Sequence, residues 1–365
     1  MLGIVVLALG WAVIRSRHGP EGSPIRADEH VVFFETAARL DERAGRWVLP
    51  IHGWIHEPTT SKVRMAAIAG FLKTKYELRA TASTRANFER RVNLFLVDNE
   101  RGKRLRIRLG DREHVLPPSG PSGHFEGRVE LSAEEAAKFA RDGGISYRAV
   151  LSEGDERRFT GTVRLLEPEG VSVISDIDDT IKITRVTDTP RMLDHTFFQD
   201  FQATPGMPEL YRRWAEEGAA FHLVSSSPWQ LYEPLREFTG KAGFPPATFD
   251  LLLVRLKDSS VANLFKSGVE KKLPSIERHL ESYPRRRFVL VGDSGEQDPE
   301  LYAKVFHKYP GRIARIYIRN VSGASADDER FRQAFEGLPR ESWELFSDPK
   351  DLELPPPAPP APPPK

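Results

Sequence analysis

The sequence predicts an α/β protein, a doubly wound parallel sheet preceded by a mainly β region, and two changes of pattern along the chain predict it. Beyond Pro168, short apolar runs (VSVIS, AAFHLVS, FDLLLVRL, RRFVLVG and IARIYIR) alternate with amphipathic stretches at 208–217, 230–240, 269–282 and 299–309. That alternation is the sequence form of βαβ units, and Gly218 stands where a helix C-cap glycine belongs. Between residues 31 and 166 the readable segments are strand-like instead: VVFFET, RWVLPIHGWI, VNLFLV, RLRIRL, ISYRAVL and RFTGTVRLL, separated by Gly, Pro, Asn and Asp. Helical periodicity over 61–78, and a capping box of Ser132 with Glu135 opening a helix through 142, interrupt them. A sandwich is the expected form of this first region.

The length of 365 residues suits about two domains at ~150 residues each. The expected division is an apolar N-terminal segment over 1–14, a mainly β domain over 30–168, an α/β domain over 169–345 and a Pro-rich disordered tail over 346–365. The first segment has no basic residue before it and no small-residue cleavage site after it, so it does not read as a cleaved signal. As a helix it spans about 21 Å, short of the ~30 Å hydrocarbon core, which makes it a marginal anchor. If it inserts, Arg15 and Arg17 keep the rest of the chain on the cytoplasmic side. The tail sequence PPPAPPAPPPK is extended and solvated, and is a candidate ligand for a proline-binding domain. The chain has no cysteine, which excludes disulfides, thiolate metal sites and cysteine nucleophiles. With 53 Lys and Arg against 52 Asp and Glu, its charge carries no footprint for nucleic acid.

The chemistry is expected beyond the carboxyl ends of the parallel strands, where open α/β sheets place their ligands. The first α/β strand runs into Asp176, Ile177, Asp178, Asp179 and Thr180, so two carboxylates two residues apart leave the sheet together. The second ends in Ser225, Ser226 and Ser227, hydroxyls at a strand-to-helix turn that can hold a phosphate oxygen. The fourth delivers Gly292 and Asp293, with Asp298 five residues on. Lys271 and Lys272 sit at the start of a helix, where a cation opposes the helix dipole and so suggests a task. Several carboxylates with no thiolate and few histidines form a hard oxygen-ligand site suited to Mg²⁺.

SVISDIDDTIKIT, PGMPELYRRW, HLVSSSPWQLY and FVLVGDSGEQDPELYA resemble the haloacid dehalogenase superfamily, and within it the actin-patch-type phosphatidate phosphatases, relatives of the lipins. The likeness covers about 170–322. It implies an α/β haloacid dehalogenase-like fold, Rossmannoid with a parallel sheet and little or no cap, and a Mg²⁺-dependent phosphatase that converts phosphatidate to diacylglycerol and phosphate through an aspartyl-phosphate. By position, Asp176 is the nucleophile and Asp178 the acid and later the base. Ser225, with Ser226 as the register alternative, binds the phosphoryl group. Lys272 neutralises it, although Lys271 or Lys266 also fits the loose spacing. Asp176, Asp178 (by its carbonyl), Asp293 and Asp298 surround the metal. The same motifs serve other phosphomonoesters, and lipin-related domains also exist that only bind phosphatidate.

About twenty residues separate Thr180 from the PGM segment, too few for a large cap, so an open site is expected. Met192, Leu193, Phe197, Phe198 and Phe201 in that stretch either touch a bilayer or cover the sheet. The expected partner is phosphatidate or another anionic phospholipid at a membrane surface, with the protein cytoplasmic and peripheral to or anchored at that membrane. Arg104, Arg106 and Arg108 alternate with apolar residues and would share one strand face, either meeting lipid headgroups or simply solvated. His52 and His56 read as packed or solvated rather than metal-bound.

Overall fold

The computed structural model describes residues 22–59, 61–254 and 269–357; the apolar segment 1–14, Lys266 and the last eight residues lie outside them. The first region runs β1 (His30–Phe34), β2 (Thr36–Asp41), β3 (Arg46–Glu57), α1 (Lys62–Tyr76), α2 (Arg85–Asn93), β4 (Asp98–Asn99), β5 (Arg106–Leu109), β6 (Arg112–Val115), β7 (His124–Ser132), α3 (Ala133–Phe139), β8 (Gly144–Ala149) and β9 (Thr160–Leu165). Its strands join in one nine-stranded sheet of order β1-β3-β2-β9-β8-β5-β6, with β4 and β7 also paired to β3. Inward residues from distant parts of that path, Leu49, Ile51, Ile107, Phe125, Ile145 and Val163 among them, share one core. The sheet therefore curls over itself, as expected for a sandwich-like arrangement.

Local rules place its helices. Ser61 caps α1, and the Ser132–Glu135 capping box opens α3, which stops at Phe139, short of the expected 142. The expected strand VNLFLV does not form. Its first two residues close α2, because Phe88, Val92 and Leu96 recur four apart and are buried together with Leu72. On β5, Arg106 and Arg108 both pair with Glu113 of β6, so the arginine row is partly neutralised by its own hairpin.

The second region runs β10 (Val171–Ser175), α4 (Thr189–Phe197), α5 (Met207–Glu216), β11 (Ala220–Pro228), α6 (Tyr232–Lys241), β12 (Ala247–Leu252), α7 (Val269–Ser282), β13 (Arg287–Asp293), α8 (Asp298–Lys308), β14 (Ile313–Arg319), α9 (Glu329–Ala334) and β15 (Trp343–Phe346). Its six strands are all parallel, in the order β12-β11-β10-β13-β14-β15. All five residues of β10 are buried, as a strand covered by helices on both faces requires. The strand order reverses beside β10, which makes its carboxyl end the switch point of the sheet.

Two expectations are corrected. Met192, Leu193, Phe197 and Phe198 neither face outward nor cover the sheet: they are buried against Leu72, Phe88, Val92 and Leu96 of the first region, so α1 and α2 roof α4. Phe201, by contrast, packs on the cluster that holds Val173, Leu223 and Val291 of the parallel sheet, as the sheet-covering alternative expects. The loop after β10 is thus covered, without an inserted domain, by helices from the preceding region. The chain also stays packed past residue 346. Leu352 is buried, Arg213 donates to the carbonyls of Lys350 and Leu352, and Tyr317 Oη donates to that of Glu353.

The two sheets meet across an aromatic and histidine cluster. Phe34 stacks on Trp229 at 4.1 Å between centroids, with His52 edge-on to both, and His52 Nε2 lies 3.3 Å from His124 Nδ1. Burial drives the pKa of His52 down to about 4 and that of His124 to about 3, the latter helped by His52. Neutral histidines stabilise this junction above their unfolded pKa of about 6.5, and the contribution is lost as pH falls from there toward 4. For His52 that is on the order of 3 kcal/mol. The melting temperature is expected to fall between pH 6.5 and 4.5, and the His52→Gln/His124→Gln protein to show a much shallower slope in thermal melts across that range.

Candidate active site

The register of the parallel sheet brings the site together. Ser175 pairs with Val291 and Leu223, so the residues that follow each strand emerge side by side: Asp176 beside Gly292 and Asp293, with Ser225 on the other flank. The loop after β10 is fixed by Asp179, which takes a left-handed conformation (φ 57°), one that aspartate tolerates better than most residues. Its carboxylate accepts from the backbone N–H groups of Thr184, Arg185 and Val186 at 2.7 to 2.8 Å, and its carbonyl accepts from Arg319. Asp179 therefore shapes the loop that presents Asp176 and Asp178.

Around Asp176 the charges are dense. Its Oδ1 lies 2.7 Å from Lys272 Nζ, and its Oδ2 accepts from Thr180 Oγ1 at 3.0 Å. The same ammonium reaches Glu296 at 2.8 Å and Asp298 at 2.9 Å. Asp176, Lys272, Asp293 and Asp298 are all 3% exposed or less, so these interactions act in a largely water-free volume. Lys272 lies in the first turn of α7 because its charge belongs to these carboxylates, which outweigh the unfavourable dipole; Lys271 is exposed and points elsewhere. Asp298 at the start of α8 also accepts from the backbone N–H of Asp293. That approach needs Gly292, since a Cβ there would lie 2.5 Å from Asp298 Oδ2.

Asp178 has a separate set of partners. Lys182 Nζ lies 2.8 Å from its Oδ1, which also accepts from Thr184 Oγ1 at 2.7 Å. Its Oδ2 accepts from Ser225 Oγ at 3.1 Å and Ser227 Oγ at 2.8 Å. Ser225 and Ser227 sit two apart on β11 and reach the same carboxylate, whereas Ser226 Oγ, between them, has no hydrogen-bond partner among the described residues. Lys182, Thr184 and a role for Glu296 were not singled out from the sequence, whereas Ser227 was named there with Ser225 and Ser226 as a phosphate-binding hydroxyl. Period-two alternation pairs Ser227 with Ser225, but nothing local marks Lys182 or Glu296.

These surroundings move the two carboxyls in opposite directions. Burial, reinforced by Asp298, Glu296 and Asp293 against the opposing charge of Lys272, raises the Asp176 pKa well above the usual carboxylate range. At Asp178 burial also pushes upward, but Lys182 and the hydroxyls of Thr184 and Ser227 more than reverse it and hold the group at about 2. Lys272 is raised despite burial, by Asp176, Asp298 and Glu296.

The donors suit a hard divalent cation. Asp176, Asp293, Glu296 and Asp298 each bring one oxygen within 4.8 Å of the others, against the single ammonium of Lys272. Asp293 Oδ2 is buried with no hydrogen-bond partner among the described residues, while its Oδ1 is held by the N–H groups of Gly295 and Glu296. Surplus buried negative charge, oxygen-only ligands and an unpartnered carboxylate oxygen meet the requirements of Mg²⁺.

The fold and site together define a parallel α/β domain with paired strand-end aspartates, a buried lysine and a serine turn, a constellation for phosphoryl chemistry. The segment that carries it, residues 171–320, matches the family described as phosphatidate phosphatase APP1, catalytic domain. The chain is 35% identical over 166 residues to phosphatidate phosphatase APP1 of Saccharomyces cerevisiae, covering 44% of this chain and 28% of that protein. It is 33% identical over 185 residues to the uncharacterized protein C29B5.04c of Schizosaccharomyces pombe, covering 48% and 30%. The chain thus spans less than a third of the length of either relative. A Thermotoga maritima structure described as a beta-phosphoglucomutase aligns with 49% of this chain and 94% of that one, at 16% identity and a TM-score of 0.28, a likeness that carries no weight.

Replacing Asp179 by Ala removes the acceptor of three backbone donors, those of buried Thr184, half-buried Val186 and exposed Arg185. We expect Asp179→Ala to lower stability by about 3 kcal/mol in urea denaturation, at ~1 to 3 kcal/mol per stranded donor with partial relaxation. A loss below about 1 kcal/mol would show that the loop does not depend on this residue.

Proposed function

We propose that this chain is a Mg²⁺-dependent phosphatidate phosphatase working through an aspartyl-phosphate on Asp176, in a haloacid dehalogenase-like domain over 169–345. The observation that carries the reading is the division of surroundings between two neighbouring aspartates: Asp176 faces Lys272 beside Asp293, Glu296 and Asp298, while Asp178 faces Lys182 and the hydroxyls of Ser225 and Ser227. Two carboxyls serving only as solvated turn residues would show no such division.

In this reading the raised pKa of Asp176 belongs to the free protein, and a bound divalent cation would favour its ionised form. The carboxylate then attacks phosphorus, the bond to the glycerol oxygen breaks, and that oxygen leaves with a proton from Asp178. Water, deprotonated by Asp178, then attacks the phospho-aspartate and restores both groups. Asp178 is ionised in the free protein, which suits the second step. For the first step it must take up a proton, and the negative charge of an arriving phosphate beside it is the force that raises its pKa. Ser225 and Ser227, now bonded to Asp178, are placed to turn toward phosphoryl oxygens. Lys272 neutralises charge on the Asp176 side. Asp176 and Asp293 would hold Mg²⁺, which when bound offsets the negative charge of the phosphoryl group, while Asp298 orients Lys272 and Asp293.

The choice of phosphatidate is supported by the name of the yeast relative. Another phosphomonoester is the competing substrate, with the same residues in the same roles. A non-catalytic lipid-binding module is disfavoured, because it would need neither Asp176 nor the separate proton-transfer environment of Asp178.

Phosphate release from phosphatidate in mixed micelles, with Mg²⁺ or EDTA and beside a soluble aryl phosphate, tests the reading. Turnover is expected only with Mg²⁺, to fall to background in Asp176→Asn, and to fall by roughly 10²- to 10⁴-fold in Asp178→Asn. Cleavage of the aryl phosphate alone would replace the substrate, and cleavage of neither would remove the enzyme reading. Removing the cation beside Asp178 gives a separate prediction. In Lys182→Met the limb of kcat/KM governed by Asp178 should move up by about one to two pH units, and an unmoved profile would show that Asp178 does not set it.

A further inference from the structure

Helix α1 carries four Lys and Arg among fifteen residues and no acidic residue, and Leu72 is its one buried residue. At about 100° per residue its inner face, through Leu72, Met65, Ile68, Ala69 and Tyr76, packs in the cluster shared with α2 and α4. The opposite face carries Val63, Ala66, Ala67, Gly70 and Thr74, all exposed and none charged, with Val63 at 81%. Basic residues flank that stripe on both sides, Lys62 and Lys73 along one edge and Arg64 and Lys75 along the other. From Lys62 to the end of α2 there are eight Lys and Arg and two Glu.

We propose that the outer face of α1 is a docking surface for an anionic phospholipid bilayer, on which the helix lies flat with its apolar stripe in the interface and its lysines and arginines reaching the headgroup phosphates. At 15 residues, about 22 Å, the helix is too short to cross a bilayer, and none of the described helices is long and apolar enough to do so. The surface rests on the helix alone; its purpose rests on the phosphatase reading. The connection to the site is short. Arg91 of α2 donates to the carbonyls of Thr196 and Gln199 at the end of α4 and lies 3.8 Å from the Phe201 ring. Lys182, the partner of Asp178, sits on that same ring at 4.9 Å. A bilayer against α1 therefore lies next to the helical layer that covers the catalytic loop. The sequence offers bilayer contact as one of two readings of Met192, Leu193, Phe197 and Phe198, whereas the structure buries those residues against α1 and α2.

The absence of cysteine allows a local test in the full chain. Val63→Cys carries an environment-sensitive fluorophore, and Ala44→Cys, exposed at the opposite end of the 12-residue β3 and so roughly 35 Å away, serves as control. On vesicles of phosphatidylcholine with phosphatidylserine, the label at 63 should shift to the blue and be quenched by a bilayer-embedded quencher, while the label at 44 should not. Lys73→Glu/Lys75→Glu should raise the lipid concentration needed for that shift by roughly tenfold or more. A label at 63 that stays open to aqueous iodide on vesicles, or labels at 63 and 44 that respond alike, would overturn the proposal; the second result is also what anchoring by the N-terminal segment alone would give. A shift at 63 without phosphate release from phosphatidate would strike the phosphatase reading and leave the docking surface standing. Phosphate release without the shift would do the reverse.

Discussion

A lysine buried among carboxylates at the end of the central strand sets the terms for the rest of the structure. Lys272 touches Asp176, Glu296 and Asp298, which come from the loop after β10, the turn after β13 and the first residue of α8. Such a cluster is poor material for stability, because desolvating the ions costs about as much as their attraction returns. Apolar residues of similar volume would hold the strands together at least as well. What the cluster provides is a fixed arrangement of charge with more acid than base, and the surrounding backbone is adapted to keep it. Gly292 lets Asp298 approach, Asp179 takes a left-handed turn, and the helix dipole of α7 is opposed.

Keeping two aspartates two residues apart in different protonation environments needs separate counter-charges, and the fold supplies them from different directions. The partner of Asp176 comes from α7, on the far side of the sheet order, while the partner of Asp178 comes from its own loop only four residues on. The Asp178 side is then tied to the first region, through Phe201 under both Lys182 and Arg91. The mainly β region is therefore more than an appendage. Its helices α1 and α2 determine how the catalytic loop is covered, in place of an inserted cap.

Much of this was legible in the sequence, and the limits have physical causes. The parallel strands announced themselves because a strand buried on both faces must be a short continuous apolar run, as VSVIS and RRFVLVG are. Asp176, Asp178, Ser225, Asp293 and Asp298 were found because the ends of such strands are known places to look. The lysine register stayed open, since Lys271 and Lys272 differ only in which side of α7 they occupy and the sequence does not say which side faces the sheet. VNLFLV was misread because five apolar residues in six satisfy a strand and a helix end equally well, and tertiary burial against α4 decides between them. For the same reason the apolar residues of α4 looked like a lipid-facing patch: sequence shows that a surface is apolar, and only packing shows what already occupies it.

That distinction bears on how an enzyme of this plan would meet a substrate held in a membrane. A soluble phosphomonoester needs only an opening wide enough for itself. A phosphate on a lipid headgroup stays at the bilayer surface, so the catalytic loop must come to it, and an orienting contact close to the loop reduces the number of unproductive encounters. In this chain the residues buried at the centre of the helical layer hold its shape, and the stripe of α1 is exposed among the described residues. An uncharged stripe bordered by lysine and arginine is costly to leave in water and easy to satisfy at an anionic interface. The geometry thus joins two demands in one element: the inner face of α1 packs with α2 and α4 in the layer next to the catalytic loop, and its outer face, exposed among the described residues, is placed to meet the surface on which such a substrate is found.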